Sequence, residues 1–522
     1  MSQMLKSSGA MAAATMTSRV LGLVREVVYA SFMGTGPVAS AFKLAFMIPN
    51  LFRRLLGEGA LTAAFIPIFK HKEVQEGDTE MWRAANAVVS GLFAAAGVIS
   101  VLVVLGLSGA LWVGKFSTET TLMLELLRLM FPYMLLVCLA AVFIGMANAR
   151  GHFFVPALGS VMLNAVMIAS VLVTYLPQFK DLPLEQRIFG LAIGVLIAGF
   201  VQMIFQLPSL HHEGYRFRWV TPWRDPTVRE VVKKMIPGSI GVAAFQINVL
   251  VTQAYVFFVD GTKTINATFD VAVRLMEFPQ GVFGISLATF LLPTLSGLAA
   301  AKKYPEFRAT LNQGLNYISF SNLIAAAVAF AVAEPIVRLL FEHGKFGPDA
   351  TRRVALTLQC FAPGLVLFSM NNILARAFFA LNDIKTPMKV SVFCLVLNLS
   401  FAVALVHPFR EAGLAVANTC SAVINTGLLL YALRRKLARL DLIGLNRNVS
   451  ILFAAAVISG LLAYGVFRWW DAAFGHQALV PRLGGALLPI GVAGAAYWAL
   501  ALSAKVPAAS EVTQLLLRKF KR

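Results

Sequence analysis

Stretches without a single charged residue, each long enough to cross a bilayer, recur along this 522-residue chain. Residues 84–114 and 448–467 are two of them. About 20 consecutive apolar residues span the hydrocarbon core as a helix. No water reaches backbone N–H and C=O groups there, so each segment must satisfy its own. The expectation is therefore an all-α polytopic membrane protein.

Against that background the rare charges become informative. Only 13% of residues are charged, where soluble domains carry about 25%. Residues 18–58 nevertheless hold Arg19, Arg25, Glu26, Lys43, Arg53, Arg54 and Glu58 inside what otherwise reads as two spans. An Arg at the centre of a spanning helix costs about 2.5–3.5 kcal/mol. One near a helix end can reach back to the headgroups. Arg19 and Arg25 lie roughly 9 Å apart along a helix, so both cannot occupy one end. A polar cavity inside a helical bundle, tuned for negative charge, accounts for them better.

The net charge is +20. In a soluble protein that excess would suggest nucleic acid, but no basic-aromatic motif of a nucleic-acid module is visible, so that partner is set aside. Basic cytoplasmic loops are the simpler source. Cys138, Cys360, Cys394 and Cys420 all lie in apolar stretches without CxxC spacing and read as small core residues. No cleavable signal peptide is evident.

About fourteen transmembrane helices are expected, centred near 9–33, 38–69, 84–113, 122–149, 155–176, 188–210, 236–259, 266–300, 312–341, 354–381, 388–406, 411–433, 449–467 and 483–504. Pro49, Pro67, Pro279 and Pro293 are the natural kink sites. An even number of spans puts both termini on one side. With that side cytoplasmic, inner loops and tails hold more than half of the 45 Lys and Arg, as the positive-inside rule requires. Residues 41–72 and 268–303 resemble each other, each with a mid-span Pro, a Gly-rich middle and a basic end. Each lies second in a set of six spans with the same direction, which makes a parallel repeat. The expected organisation is two pseudo-symmetric six-helix lobes plus two C-terminal helices: an N-lobe at 1–211, a basic linker at 212–234, a C-lobe at 235–434, a linker at 435–448, and two further spans with a basic tail at 449–522.

Arg19, Arg25, Arg53 and Arg54 supply up to four guanidinium groups from the first lobe, and Arg274 one from the second. Glu277 stands three residues after Arg274, a spacing that permits a local ion pair. Glu58 or Glu26 could neutralise a first-lobe arginine. Taken singly, each arginine is as well explained by an ion pair or a snorkelling anchor. Together, from corresponding places in both lobes, they suit a diphosphate, whose oxygens Arg binds in bidentate fashion. Lys43 reads as an interface anchor, and Arg128 with Glu125 as a structural pair. No paired-carboxylate motif, HExxH, GxSxG or P-loop is present. ATP hydrolysis is not expected, and an ion gradient, the membrane potential or substrate flux must drive any transport.

The motifs TSRVLGLVRE (17–26), IPNLFRRLLGEGALTAAFIP (48–67), VRLMEFPQGVFG (273–284), LFEHGKF (340–346) and FFALNDIKTPMKV (378–390) resemble the MurJ/MviN family. These are bacterial lipid II flippases of the multidrug/oligosaccharidyl-lipid/polysaccharide exporter superfamily. The resemblance covers essentially the whole chain. It implies two six-helix lobes around a V-shaped cavity, and two extra helices framing a groove for the undecaprenyl tail. It implies alternating-access transfer of the lipid-linked peptidoglycan precursor across the bacterial cytoplasmic membrane. The family's cavity arginines map onto Arg19, Arg25, Arg53 and Arg274, with Glu58, Glu277, Arg54 and Ser18 as supporting or gating residues. Many relatives carry Asp where this chain has Ser40 and Val273, so an outer gate built on those acids would differ. Some members bind sodium partly through a carboxylate. Here the nearest polar candidates are Asn398 and Asn418, with no matching acid, and no cofactor is expected.

Three rival readings remain at this point. A cation-coupled drug exporter would carry cavity carboxylates, the opposite sign. A flippase for other lipid-linked oligosaccharides would share the diphosphate, and only the motifs disfavour it. A non-transporting scaffold would depend on its basic loops and not on its intramembrane arginines. The lipid II reading also implies a monomer surrounded by membrane lipids, with both termini cytoplasmic.

Overall fold

The computed structural model describes residues 2–53, 61–437 and 442–520; within these, the side chains of 2–15, 62, 63, 237–245, 282, 283, 285, 286, 289, 442, 443 and 515–520 are not described. Among the described residues the chain is all α, with nineteen α-helices in sequence. Seven are long and apolar enough to cross a membrane, or up to nine when two bent pairs each count as one. The apolar runs thus fold as the bilayer argument requires, in an integral membrane protein.

Two helices are far longer than a bilayer is thick. Helix α3 (Leu61–Val113) is broken at Gly77, whose φ of 81° is left-handed, a conformation open to Gly at little cost. The break falls in the charged stretch 70–83, so α3 holds the end of one expected span and all of the next. Helix α16 (Lys385–Lys436) is broken at Arg410, with φ 52°, and again covers two expected spans. Neither break is at one of the four prolines expected to kink.

Other bends do follow proline chemistry. Helices α4 (Thr118–Met130) and α5 (Tyr133–Ala149) meet at 41°, and α14 (Pro348–Phe361) and α15 (Gly364–Ala380) at 47°. Pro132 and Pro363 stand in those two breaks, where each removes a backbone donor. Helix α10 (Ile265–Pro279) passes through a π-helical turn at Gln280–Ile285 into α11 (Ser286–Ala300). That distortion begins directly after Pro279, as expected.

The chain divides into two compact units, Met1–Ala267 and Thr268–Arg522. In the first, Phe42, Met130, Tyr133, Ala192 and Val195 share one core, and Phe65, Phe69, Met81 and Tyr215 share a second. Helices α6 (Phe154–Val173) and α7 (Leu184–Ile204) approach closely: a Cβ at Gly194 would lie 2.1 Å from Ser170 Oγ. Close backbone approach of this kind is what packs helices in lipid, where apolar surface alone gives no drive. In the second unit, α17 (Leu442–Phe474) and α18 (Leu479–Ser503) bring Ala463, Phe467 and Ala493 against Val332.

Candidate functional site

The helices that carry the intramembrane charge are not among the long apolar ones. Among the described residues, neither α1 (Ser2–Met33), α2 (Pro37–Phe52) nor α10 passes as a span on its own, and α2 is only a short apolar helix. Their charged residues must be stabilised by specific contacts.

In the first unit Glu26 does this. Its two carboxylate oxygens take Arg25 at 2.6 Å and Lys43 at 2.8 Å, so one acid ties α1 to α2. All three are largely buried, with exposures of 15% for Arg25 and Lys43 and 5% for Glu26. Tyr29, one turn along α1, places its ring 5.6 Å from the Arg25 guanidinium and 5.9 Å from Lys43 Nζ. Cation–π contacts of this length add to the hold when desolvated. From α6, Asn164 Oδ1 accepts from Arg25 Nη1 at 3.1 Å, and its Nδ2 donates to the Ser18 carbonyl at 3.2 Å. Three helices therefore converge on the Arg25–Glu26 pair. Lys43 is part of this buried network, not the interface anchor its sequence context suggested.

The other first-unit candidates are placed differently. Arg19 is half-buried and, among the described residues, forms no ion pair. Arg53 caps the C-terminal end of α2, where its Nε donates to Asn50 Oδ1 at 2.8 Å. It stands roughly 15 Å along the helix from Lys43. Arg54 and Glu58 lie outside the described residues. The Arg128–Glu125 pair is not formed: Arg128 is exposed in the last turn of α4, where the helix dipole favours a cation.

In the second unit Arg274 Nη1 meets Glu277 at 3.0 Å, the pair that the i,i+3 spacing permits. Asp270, one turn earlier, lies 4.0 Å from Arg274 Nη2. That acid stands four residues back on the same helix. These groups are more open, with 36% exposure for Arg274, 23% for Asp270 and 48% for Glu277.

Asn418 donates to the Leu414 carbonyl of its own helix at 2.8 Å, and Asn398 is half-buried. Among the described residues no group of three or more His, Cys, Asp or Glu could hold a metal ion.

Outside the spans, a second charge network ties the ends of the first unit's helices. Arg150 meets Glu73 at 2.7 Å and Glu213 at 2.8 Å, and His152 meets Glu213 at 2.7 Å. A hydrogen bond from Lys70 holds the Glu73 carboxyl below its ordinary range, and those from His152 and Arg150 do the same for Glu213. Asp225 is buried, which works against its charge, yet the Arg83 hydrogen bond at 2.6 Å and two backbone N–H groups keep its carboxyl low.

Sequence reasoning missed Asn164, Tyr29 and Asp270. Asn164 is a lone amide in an apolar run, 139 residues from the arginine it meets. Only its rarity in such a setting could have flagged it. Asp270 had a readable signal, the i,i+4 spacing to Arg274.

Comparison with known proteins bears on this arrangement. A family model described as "Lipid II flippase MurJ" matches residues 29–484. The "Probable lipid II flippase MurJ" of Haemophilus influenzae is 33% identical over 481 residues, covering 87% of this chain and 90% of that protein. The "Lipid II flippase MurJ" of Burkholderia cenocepacia is 32% identical over 461 residues, covering 86% of this chain and 87% of that protein. Among solved structures, "Lipid II flippase MurJ, inward closed conformation" is similar with TM-score 0.76 and 21% identity, covering 98% of this chain and 99% of that one. An inward-facing multidrug resistance MATE family transporter of the MOP superfamily gives TM-score 0.63 at 14% identity, over 82% of this chain and 98% of that one. At these identities the two structures bear on fold alone.

Proposed function

Because the chain belongs to the lipid II flippase MurJ family, we propose that its intramembrane arginines bind the diphosphate of the lipid it moves. The chain is a lipid II flippase, a transporter rather than an enzyme, integral to the bacterial inner membrane, with lipid II as its substrate. The observation that carries the assignment to residues is the Glu26 network, in which one buried carboxylate holds two cations against three helices. Such a network keeps Arg25 rigid and charged where an unsupported arginine would be expelled.

In this reading Arg19, Arg25, Arg53 and Arg274 engage the diphosphate. Glu277 and Glu58 balance those charges, and Arg54 and Ser18 support them. The two six-helix lobes, 1–211 and 235–434, alternate access while the prenyl chain stays in lipid, with 449–522 as an added pair of spans and a tail. Both termini are cytoplasmic and the chain works as a monomer. Neutralisation of the arginines by the headgroup favours closure. The emptied, cationic site then resets with help from an inside-negative potential, worth about 2.3 kcal/mol per charge per 100 mV, or from a monovalent cation.

The test is outer-leaflet exposure of lipid II in cells depleted of their own flippase, expressing the intact chain or Arg274→Ala at matched membrane levels. Restoration by the intact chain and a tenfold or greater deficit for Arg274→Ala is expected. Equal restoration by both would remove Arg274 from the site. No restoration by well-inserted intact chain would point to another lipid-linked oligosaccharide.

A further inference from the structure

The segment joining α8 (Leu207–His212) to α9 (Pro226–Val259) is unlike the other connections. Residues 215–220 belong to no helix, and Arg216, Phe217, Arg218 and Trp219 alternate cation with aromatic ring. The segment is pinned along α3. Tyr215 is buried against Trp82, with ring centroids 5.5 Å apart. Asn86 Nδ2 donates to the Arg216 carbonyl at 2.9 Å, and Val220 N donates to Ser90 Oγ at 3.2 Å. Trp219 meets Phe93 edge-on at 6.5 Å. The segment therefore follows α3 from its last charged residue, Arg83, into the start of the uncharged run 84–114. That is the headgroup zone of a spanning helix, where Trp and snorkelling cations are most at home.

Its charges are sorted by direction. The three acids nearby are all engaged by the chain itself: Glu213 by Arg150, Asp225 by Arg83, and Glu230 by Lys234 at 2.7 Å. The cations face outward. Arg216, Arg218, Arg224, Arg229 and Lys233 are exposed, and among the described residues the last four form no ion pair or side-chain hydrogen bond. Phe217 is 52%, Trp219 54% and Trp223 70% exposed.

We propose that this segment is a docking surface for anionic phospholipid headgroups. Arg216, Arg218 and Arg224 take lipid phosphates, and Phe217, Trp219 and Trp223 seat between the acyl chains and the headgroups. Charge complementarity selects the lipid: phosphate with net negative charge satisfies outward guanidinium groups, and exposed rings beside them suit an amphipathic boundary better than an aqueous protein partner. The surface fixes the beginning of α9 at a set depth, so lipid composition bears on how this end of the unit moves. Assignment to the inner leaflet rests on the cytoplasmic orientation proposed above, whereas the affinity for anionic lipid does not.

The test is native mass spectrometry of the detergent-purified full chain titrated with phosphatidylglycerol or phosphatidylcholine. The variant R216Q/R218Q/R224Q is compared with a control of equal charge change, K302Q/K303Q/R352Q, all six positions being exposed. Phosphatidylglycerol affinity should fall at least fivefold in the loop variant and hold in the control, with phosphatidylcholine unchanged in both. Trp219→Ala alone should weaken it about twofold. Equal loss in both triple variants would show only net charge, and full retention in the loop variant would overturn the site. Retention together with failed complementation in cells would assign the surface to a protein partner instead. Orientation is read separately by a membrane-impermeant maleimide on His212→Cys. Labelling in intact spheroplasts would move the surface to the other leaflet while leaving the lipid affinity standing.

Discussion

The charged residues of α1 and α2 are held in one way and those of α10 in another. Glu26 joins two helices, with Asn164 bringing a third, and the groups at its centre are at most 15% exposed. Asp270, Arg274 and Glu277 all belong to one helix and are 23–48% exposed. A buried pair that crosses between helices is part of the packing. A pair spaced along one helix and open to solvent is screened and contributes less to packing. The Glu26 network is therefore buried and the Arg274 pairs are more open, and substitutions should separate burial from pairing.

Glu26→Gln should have the largest effect. It removes the charge that faces both Arg25 and Lys43, and breaking a buried ion pair costs about 3–5 kcal/mol. A fall in membrane level and in the thermal midpoint of the purified chain is expected, alongside lost transport. A variant as stable as the parent would mean the network does not hold the helices together. Asn164→Ala comes next, at about 1–3 kcal/mol, the usual range for a buried hydrogen-bonding group. It loosens α6 from Arg25 and Ser18 without changing any charge. If it destabilised as much as Glu26→Gln, packing rather than charge would be the stronger term.

On the second unit the expectation reverses. The double variant Asp270→Asn, Glu277→Gln should shift stability by less than about 1 kcal/mol, as exposed pairs do, and show itself in transport instead. A large drop in thermal midpoint with transport kept would erase the distinction between the units.

Sequence alone made much of this legible, unevenly. The spans could be read because lipid leaves a helix no alternative, and Arg25 and Glu26 stood out because charge is rare in apolar surroundings. The partners were harder. Lys43 looked like an anchor because its acid lies on another helix, and Asn164 carries no charge to draw notice. The breaks divided the same way. Pro279 does precede a π-turn, but Gly77 and Arg410 break helices through left-handed backbone. Many glycines lie in helices here undistorted, and nothing local marks Arg410 beyond a proline two residues earlier.

A last pair asks whether joining separate segments is enough, or whether burial decides. Asp383, in the loop after α15, meets Lys436 at the end of α16 at 2.7 Å, so the contact crosses 53 residues as the Glu26 network crosses helices. Lys436 is 37% exposed, however, and solvent screens such pairs. The Lys436 hydrogen bond, with help from the Thr386 N–H and hydroxyl, holds the Asp383 carboxyl down at about 2. A carboxyl depressed in the folded state contributes stability above its unfolded value of about 3.9, and that contribution fades as pH falls through about 2. Asp383→Asn should therefore lower the thermal midpoint by no more than about 2 °C at neutral pH. The difference from the parent should shrink below about pH 4. A loss approaching that of Glu26→Gln would show that connecting segments matters more than exclusion of water, and the contrast between the two units would then need a cause other than burial.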